Sequence, residues 1–183
     1  MKKLYISKLK QKGLLYCTGF VIIISVWFFV RAGESSAYSI LNSLLLISLS
    51  YIAMLFDIKT KRVPNKLVLI MAAGWLLPAV ILLFIDTENS LSLLMDSIYG
   101  FLTGGGLFLL VYLISRKGLG GGDVKFMAAA GLYLGFAGTI PAILYGTLTA
   151  ALTGGVLILL KKIKRKDTIP LVPFLFIGII IAA

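Results

Sequence analysis

Long apolar runs separated by short polar connections dominate the chain. The runs cover residues 14–30, 38–56, 67–85, 91–115, 122–138, 140–160 and 169–183. A helix needs roughly 20 apolar residues to cross the hydrocarbon core of a bilayer. Most runs meet or approach this length, and local thinning of the bilayer accommodates the short runs at 122–138 and 169–183. The pattern predicts an all-α, polytopic membrane bundle of about seven transmembrane helices.

Composition agrees with a membrane protein and excludes several kinds of catalytic site. Of the 183 residues, 60% are hydrophobic and 14% are charged, whereas soluble domains have about 25% charged residues. The chain has no histidine, so a Ser-His-Asp triad, a Cys-His pair and a histidine zinc site are impossible. The single cysteine, Cys17, excludes an internal disulfide and a CxxC metal site. We expect Cys17 to be a small apolar residue within the first helix.

The net charge of +11 is distributed as a topology signal. On a soluble chain such a charge would suggest nucleic acid, but here 17 of the 18 basic residues fall in alternate connections. They are Lys2, Lys3, Lys8, Lys10, Lys12, Lys59, Lys61, Arg62, Lys66, Arg116, Lys117, Lys125, Lys161, Lys162, Lys164, Arg165 and Lys166. Basic connections face the cytoplasm, which predicts a bacterial cytoplasmic membrane protein with its N-terminus inside. The same face would attract anionic lipid, and no nucleic-acid partner is expected.

The first run has two interpretations. It is either an uncleaved helix or a signal peptide cleaved after Ser35-Ser36-Ala37. The apolar stretch is long for a signal peptide, and we favour the uncleaved helix. We therefore expect a basic segment with an extra transmembrane helix at 1–37, followed by one membrane domain at 38–183.

The chain has seven acidic residues, and two of them stand out. Asp96 lies near the outer end of its run, where we expect it to be hydrogen-bonded rather than catalytic. Asp57 ends the second run, and Asp123 opens the fifth, both on the predicted cytoplasmic side. Ionisable groups at membrane depth are costly and mark functional sites. The other four fall in connections, where we expect them to be solvated: Glu34, Asp86, Glu88 and Asp167.

Each of these two aspartates lies beside an unusual stretch of backbone. Asp123 follows the glycines of GLGGGD, which permit positive φ and close approach of another backbone. The apolar run after Asp123 is short, so its helix must begin near Gly122 and draw Asp123 into the first turn. Ordinary interpretations exist for both places, a flexible turn at 118–122 and an ion pair between Asp57 and Lys61. Two carboxylates on one leaflet are, however, what acid–base hydrolysis requires.

Three stretches resemble the bacterial type IV prepilin peptidases, membrane aspartic proteases of the GxGD type. The first is DIKTKRVPN, Asp57 to Asn65, and the second is GGGDVK, Gly120 to Lys125. The third is TIPLVPFLFIG, Thr168 to Gly178. The resemblance covers about residues 40–183, a six-helix core with the first helix outside it. It implies that Asp57 and Asp123 are the catalytic pair. Supporting residues that bind substrate or shape the loops would be Gly120, Gly122, Lys125, Pro64, Asn65, Pro170 and Pro173.

The resemblance also implies substrates and a reaction. The substrates would be prepilins or pseudopilins of type IV pilus or type II secretion systems, cut at the cytoplasmic membrane face with no cofactor or metal. Longer members also methylate the new terminus, using a region with paired cysteines. Because Cys17 cannot form such a pair, we expect peptidase activity without N-methylation.

Close carboxylates share a proton and titrate as a pair. The ionised carboxylate activates water, and the protonated one polarises the scissile carbonyl. Asp57 is predicted at a helix C-terminus and Asp123 at a helix N-terminus, where negative charge is favoured. Helix direction therefore predicts Asp123 as the ionised base and Asp57 as the acid.

Other functions remain open from the residues alone. Asp57 and Asp123 could form the proton or cation relay of a small, proton-coupled membrane transporter component, because intramembrane acids also mark such pathways. The chain could also be an assembly scaffold without enzymatic activity. A related proteolytic interpretation is an archaeal preflagellin peptidase, which the RVPN stretch at 62–65 disfavours.

Overall fold

A computed structural model describes residues 18–25, 27, 37–85, 87–115, 118–164 and 167–183. The chain divides between Ile40 and Leu41 into two compact units. In the first unit, residues 18–25 and residue 27 are helical, within the predicted first run. Cys17, Ser35 and Ser36 lie outside the described residues. The choice between an uncleaved helix and a cleaved signal peptide therefore stays a prediction.

The described chain contains helices and no strands, which confirms the predicted all-α fold. The long helices are α1 (Ala37–Thr60), α2 (Asn65–Ile85), α3 (Thr87–Ser115) and α4 (Gly121–Leu159), followed by the short helix α5 (Val172–Ala182). By length and composition, four of them could cross a membrane, and α5 is a shorter apolar helix. The protein is therefore an integral membrane protein.

Helix α4 is a hairpin of two arms joined at Gly135. Gly135 has φ 65° and ψ −174°, a combination that is open essentially to glycine alone. A Cβ on Gly104 of α3 would lie 2.5 Å from Met127 O and 3.3 Å from Thr139 Cγ2. In a straight helix these two residues would be about 18 Å apart, so the chain reverses between them. The first arm, 121–134, and the second arm, 136–159, match the predicted runs 122–138 and 140–160, with the boundary a few residues earlier.

The break in α4 is stabilised by an acidic side chain from α3. Asp96 Oδ1 accepts a hydrogen bond from Phe136 N–H at 3.0 Å. Phe136 opens the second arm, where backbone N–H groups lack an acceptor within the helix. Asp96 is thus hydrogen-bonded, as predicted. Its carboxylate caps the N-terminus of the second arm.

Small residues allow close helix packing on both sides of the hairpin. A Cβ on Gly100 of α3 would overlap the carbonyl oxygen of Gly131 in the first arm. A Cβ on Gly178 of α5 would likewise overlap the carbonyl oxygen of Ala142 in the second arm. Close approach of small residues is the usual way in which helices pack in lipid. The two arms therefore attach α4 to α3 and to α5.

Polar contacts join the first arm to α1 and α2. Asn42 Nδ2 of α1 donates to Tyr133 O at 3.0 Å, and the Tyr133 hydroxyl donates to Met71 O of α2 at 2.6 Å. On α1 and α5, the Tyr51 and Phe176 rings pack with centroids 5.8 Å apart. These contacts bring the C-terminal end of α1 and the N-terminal ends of α4 and α5 to one end of the bundle.

Candidate active site

Asp57 lies in the last turn of α1 and is buried, with 3% of its surface exposed. Its Oδ2 accepts a hydrogen bond from Val172 N–H at 3.0 Å. The N–H of Leu171 donates to the same carboxylate. Both donors belong to the start of α5, more than a hundred residues later in the chain. The carboxylate is thus held by backbone amides rather than by a basic side chain.

Asp123 lies in the first turn of α4, as the short apolar run after it predicts. Its Oδ2 accepts from Gly120 N–H at 3.2 Å, and its own N–H donates to Gly120 O at 3.0 Å. This reciprocal arrangement caps the helix N-terminus. The helix begins at Gly121, one residue before the predicted position.

The two aspartates lie at the same end of the bundle. They come from different helices, α1 and α4, and Val63 in the connection that follows Asp57 packs against Gly122, which precedes Asp123. Neither side chain has a basic ion-pair partner among the described residues. Paired carboxyl groups of this kind can divide the work of acid and base between them.

A polar cleft of about 370 Å³ opens beside Asp123. Its walls are the glycine loop 120–122 and the connection between α1 and α2, including Lys61, Arg62 and Asn65. A larger cavity of about 600 Å³ lies between α3 and Phe136, but no acidic residue lines it. We assign the site to the smaller cleft because reactive groups, rather than volume, decide what a cavity can do.

The glycines of the loop contribute space rather than unusual backbone angles. Among the described residues Gly135 is the glycine with positive φ, so the loop glycines do not use that freedom. A Cβ on Gly122 would lie 3.3 Å from Val63 N, so the loop packs closely against the α1–α2 connection. A Cβ on Gly121 would meet nothing within 4 Å. The loop is therefore tight at Gly122 and open at Gly121.

Lys125 and Asn65, two of the predicted supporting residues, are in contact, and Asn65 lines the cleft. Lys125 Nζ donates to Asn65 Oδ1 at 3.1 Å. Asn65 is the first residue of α2, and the carbonyl of the preceding Pro64 accepts from Leu67 N–H at 3.0 Å. This contact ties the start of α2 to the first turn of α4. The sequence predicted both as supporting residues but did not indicate that they touch.

Lys61 does not form the predicted i, i+4 pair with Asp57. Its φ of 51° ends α1, and its N–H donates to Asp57 O at 2.8 Å. Its ammonium donates to the carbonyl and the hydroxyl of Thr168, at 2.8 and 3.3 Å. The side chain therefore ties α1 to the segment that precedes α5. The charge still acts on Asp57.

Pro170 and Pro173 flank the two amides that bind Asp57. The helix begins only at Val172, so the predicted run 169–183 contains an 11-residue helix preceded by a short non-helical segment. The roles of Leu171 and Val172 were missed because their side chains are apolar. A signal was present, since two prolines three residues apart leave two free N–H groups between them.

The start of α5 also changes the helix-direction argument. The prediction from the sequence considered only the terminus of the helix to which each aspartate belongs. The carboxylate of Asp57 lies at the N-terminus of α5, so both acids lie at a helix N-terminus. The C-terminus of α1 and the N-terminus of α5 therefore have opposite effects on the charge of Asp57, and the assignment of Asp123 as the base stays a prediction.

The structure is that of a helical membrane protein with two aspartates and a glycine loop at one end of its bundle. The family model for the type IV leader peptidase family matches residues 44–159. The chain belongs to this family.

Curated relatives agree with this family membership. The chain is 30% identical over 166 residues to the Bacillus subtilis prepilin leader peptidase/N-methyltransferase, covering 87% of this chain and 62% of the relative. The protein of the same name from Xanthomonas campestris is 28% identical, over 88% of this chain and 54% of the relative. That from Escherichia coli is 35% identical over 130 residues, covering 67% and 53%. The chain thus spans between half and two thirds of these relatives. No solved structure matches it.

Proposed function

We propose that this protein is an aspartic endopeptidase that removes the basic leader of prepilins or pseudopilins at the cytoplasmic face of the bacterial inner membrane. The observation that carries the proposal is the placement of Asp57 and Asp123 at one end of the bundle. There the glycine loop before Asp123 packs against Val63, in the connection that follows Asp57, and a polar cleft opens beside Asp123. The substrate class rests on family membership and on the names of the relatives.

In the proposed reaction the two carboxyl groups share one proton. The ionised carboxylate takes a proton from water while the water oxygen attacks the scissile carbonyl carbon. The protonated carboxyl donates to the carbonyl oxygen and so stabilises the negative charge that develops there. Collapse of the tetrahedral intermediate breaks the C–N bond, and the leaving amine receives a proton from the pair. The resulting products are the leader acid and the mature N-terminal amine.

The substrate has to reach an end of the bundle that is rich in positive charge. Lys61 and Arg62 border the cleft itself, so a basic leader gains no long-range attraction there. We infer that the apolar segment of the substrate drives docking from the membrane, and that the two aspartates supply a local negative field. A full-length substrate should then bind more tightly than its soluble leader peptide. Equal affinity of the two would contradict this route.

The proposal includes cleavage without N-methylation. It rests on the single cysteine of the chain, which cannot supply the paired cysteines that the family resemblance links to methyl transfer. The mature product should therefore carry an unmodified amine.

Reconstitution with a prepilin tests both parts of the proposal. The purified protein in liposomes, with S-adenosylmethionine present, is mixed with a prepilin, and the product N-terminus is read by mass spectrometry. Asp57→Asn and Asp123→Asn should each lower the cleavage rate by about 10²- to 10⁴-fold or more. Asp167→Asn is the matched control, because Asp167 Oδ2 accepts from Lys164 N–H in an exposed loop outside the cleft.

Each outcome has a distinct meaning. Cleavage that survives in Asp57→Asn or in Asp123→Asn refutes the aspartic mechanism. A product heavier by one methyl group refutes the second part alone. No cleavage by the wild type, together with aspartate-dependent proton flux across the liposomes, would favour the relay function instead.

A further inference from the structure

Asp57 is bound by the two backbone amides between Pro170 and Pro173. Val172 N–H donates to Oδ2 at 3.0 Å, and Leu171 N–H acts on the same carboxylate as a weaker second donor. Proline has no N–H, so these are the two amides that the four-residue segment 170–173 possesses. We call this segment the proline clamp. All of its backbone donors are directed at one carboxylate.

The prolines also restrict the backbone of the clamp. Each ring fixes φ near −65°, and Pro173 lies in the first turn of α5, where a missing N–H costs nothing. Val172 is completely buried, so the segment cannot move outward without exposing an apolar side chain. The donors are therefore held in place before any substrate arrives.

Packing further along α5 sets the position of the clamp. A Cβ on Gly178 would overlap Ala142 O, and a Cβ on Gly146 would lie 2.9 Å from Leu175 Cα. These contacts lock α5 against the second arm of α4. At the other side of the clamp, Thr168 is tied to Lys61 at the end of α1. The clamp is thus anchored on both sides.

Asp123 is held differently. Gly120 N–H, three residues earlier in the exposed loop before α4, donates to its Oδ2. Within that loop, a Cβ on Gly121 would meet nothing within 4 Å. One aspartate is thus held by a buried element that is distant in sequence, and the other by the turn that precedes its own helix.

We propose that the proline clamp is a positioning element that fixes the depth and orientation of the Asp57 carboxylate for peptide hydrolysis. Asp57 is then the member of the pair that is fixed before the substrate arrives. This inference rests on the proposed function. It assigns a role to backbone groups of Leu171 and Val172 and not to their side chains.

An amide-to-ester substitution tests the clamp without changing a side chain. Valine at 172 is replaced in the full chain by α-hydroxyvaline through nonsense suppression, which exchanges the N–H for an oxygen atom. The matched control is the same exchange at Ile177, whose N–H lies in the body of α5 away from Asp57. Both esters weaken one turn of the same helix. The 172 ester should lower kcat roughly 10- to 100-fold, the size expected for one hydrogen bond to a charged group.

The expected pattern separates positioning from folding. The 172 ester should leave KM within about two-fold of wild type and unfold at the same temperature as the 177 ester. The carboxylate stretching band of Asp57, identified by its loss in Asp57→Asn, should shift in the 172 ester and stay in place in the control. Equal kcat values for the two esters, or an Asp57 band unchanged at 172, would overturn the clamp.

The infrared band keeps this inference separate from the proposed function. If wild-type protein cleaves no prepilin, the proposed function fails, while a band shift confined to the 172 ester would still establish that the clamp holds Asp57. If cleavage occurs and the band does not respond, the clamp fails alone.

Discussion

Removal of the Asp96 side chain should destabilise the membrane fold at a site remote from the cleft. Asp96 Oδ1 is the acceptor for Phe136 N–H, which opens the second arm of α4. Asp96→Ala leaves that N–H without its acceptor at the start of the second arm. A hydrogen bond to a charged group contributes about 1.5–3 kcal/mol. The loss of negative charge at a helix N-terminus adds about 0.3–1 kcal/mol. We expect a total of about 2–4 kcal/mol.

Two further variants divide this free energy into its parts. Asp96→Asn keeps an oxygen acceptor and loses only the charge, so it should cost about 0.3–1 kcal/mol. Gly135→Ala places a Cβ where it overlaps Asp96 Oδ2, in a backbone region that costs about 1–3 kcal/mol for other residues. Because the overlap involves Asp96 itself, the double variant Asp96→Ala/Gly135→Ala should cost less than the sum of the single variants, by about 1 kcal/mol.

Reversible unfolding in mixed micelles measures these differences. Asp167→Ala is the control, since it also removes a carboxylate that accepts a backbone N–H at 2.8 Å, but within a loop rather than at the start of a helix. Water replaces that contact, and the cost should stay below about 1 kcal/mol. The reasoning is refuted if Asp96→Ala costs no more than Asp167→Ala. It is also refuted if the costs of the Asp96 and Gly135 variants add.

Two other substitutions test packing and the cleft. Gly100→Ala should destabilise the bundle by about 1–3 kcal/mol in unfolding experiments, because its Cβ would overlap the carbonyl of Gly131. Gly106→Ala on the same helix is the control, since its Cβ would meet no atom within 4 Å and the change should be near neutral. Lys125→Met should change the unfolding free energy by less than about 1 kcal/mol, because its contact with Asn65 is exposed. If that contact orders the cleft, Asn65→Ala should lower the cleavage rate as much as Lys125→Met does. The double variant should then lower the rate no further. Additive losses would show that the two residues act separately.

The helices and the end of the bundle that carries the site were predictable because both follow from local properties. Apolar run length fixes which segments can cross a bilayer, so the runs near α1, α2 and α3 match the helices closely. Alternation of direction then puts Asp57 and Asp123 at one end, and the short run after Asp123 places it in a first helical turn. None of these steps requires a partner that is distant in sequence.

The turn at Gly135 was not predictable in the same way. The chain has 19 glycines, and nothing local distinguishes Gly135 from the others. Its conformation is stabilised by Asp96, which accepts the N–H that the break releases on Phe136, 40 residues after Asp96. The same limit applies to Asp57 and Val172, which are 115 residues apart. Sequence patterns identify polar side chains, but they do not reveal backbone donors contributed by apolar residues.

The hairpin turn and the candidate site are linked through the two arms of α4. The first arm carries Asp123 in its first turn. The second arm packs through Ala142 against α5, whose start binds Asp57. The separation of the two carboxylates therefore depends on the angle between the arms, which Gly135 and Asp96 set at the opposite end of the hairpin. A partial loss of that angle would misplace the acids before the bundle unfolds. The cleavage rate of Asp96→Asn should consequently fall by a larger factor than its small loss of stability alone would produce, and a rate equal to wild type would show that the arms are held by packing alone.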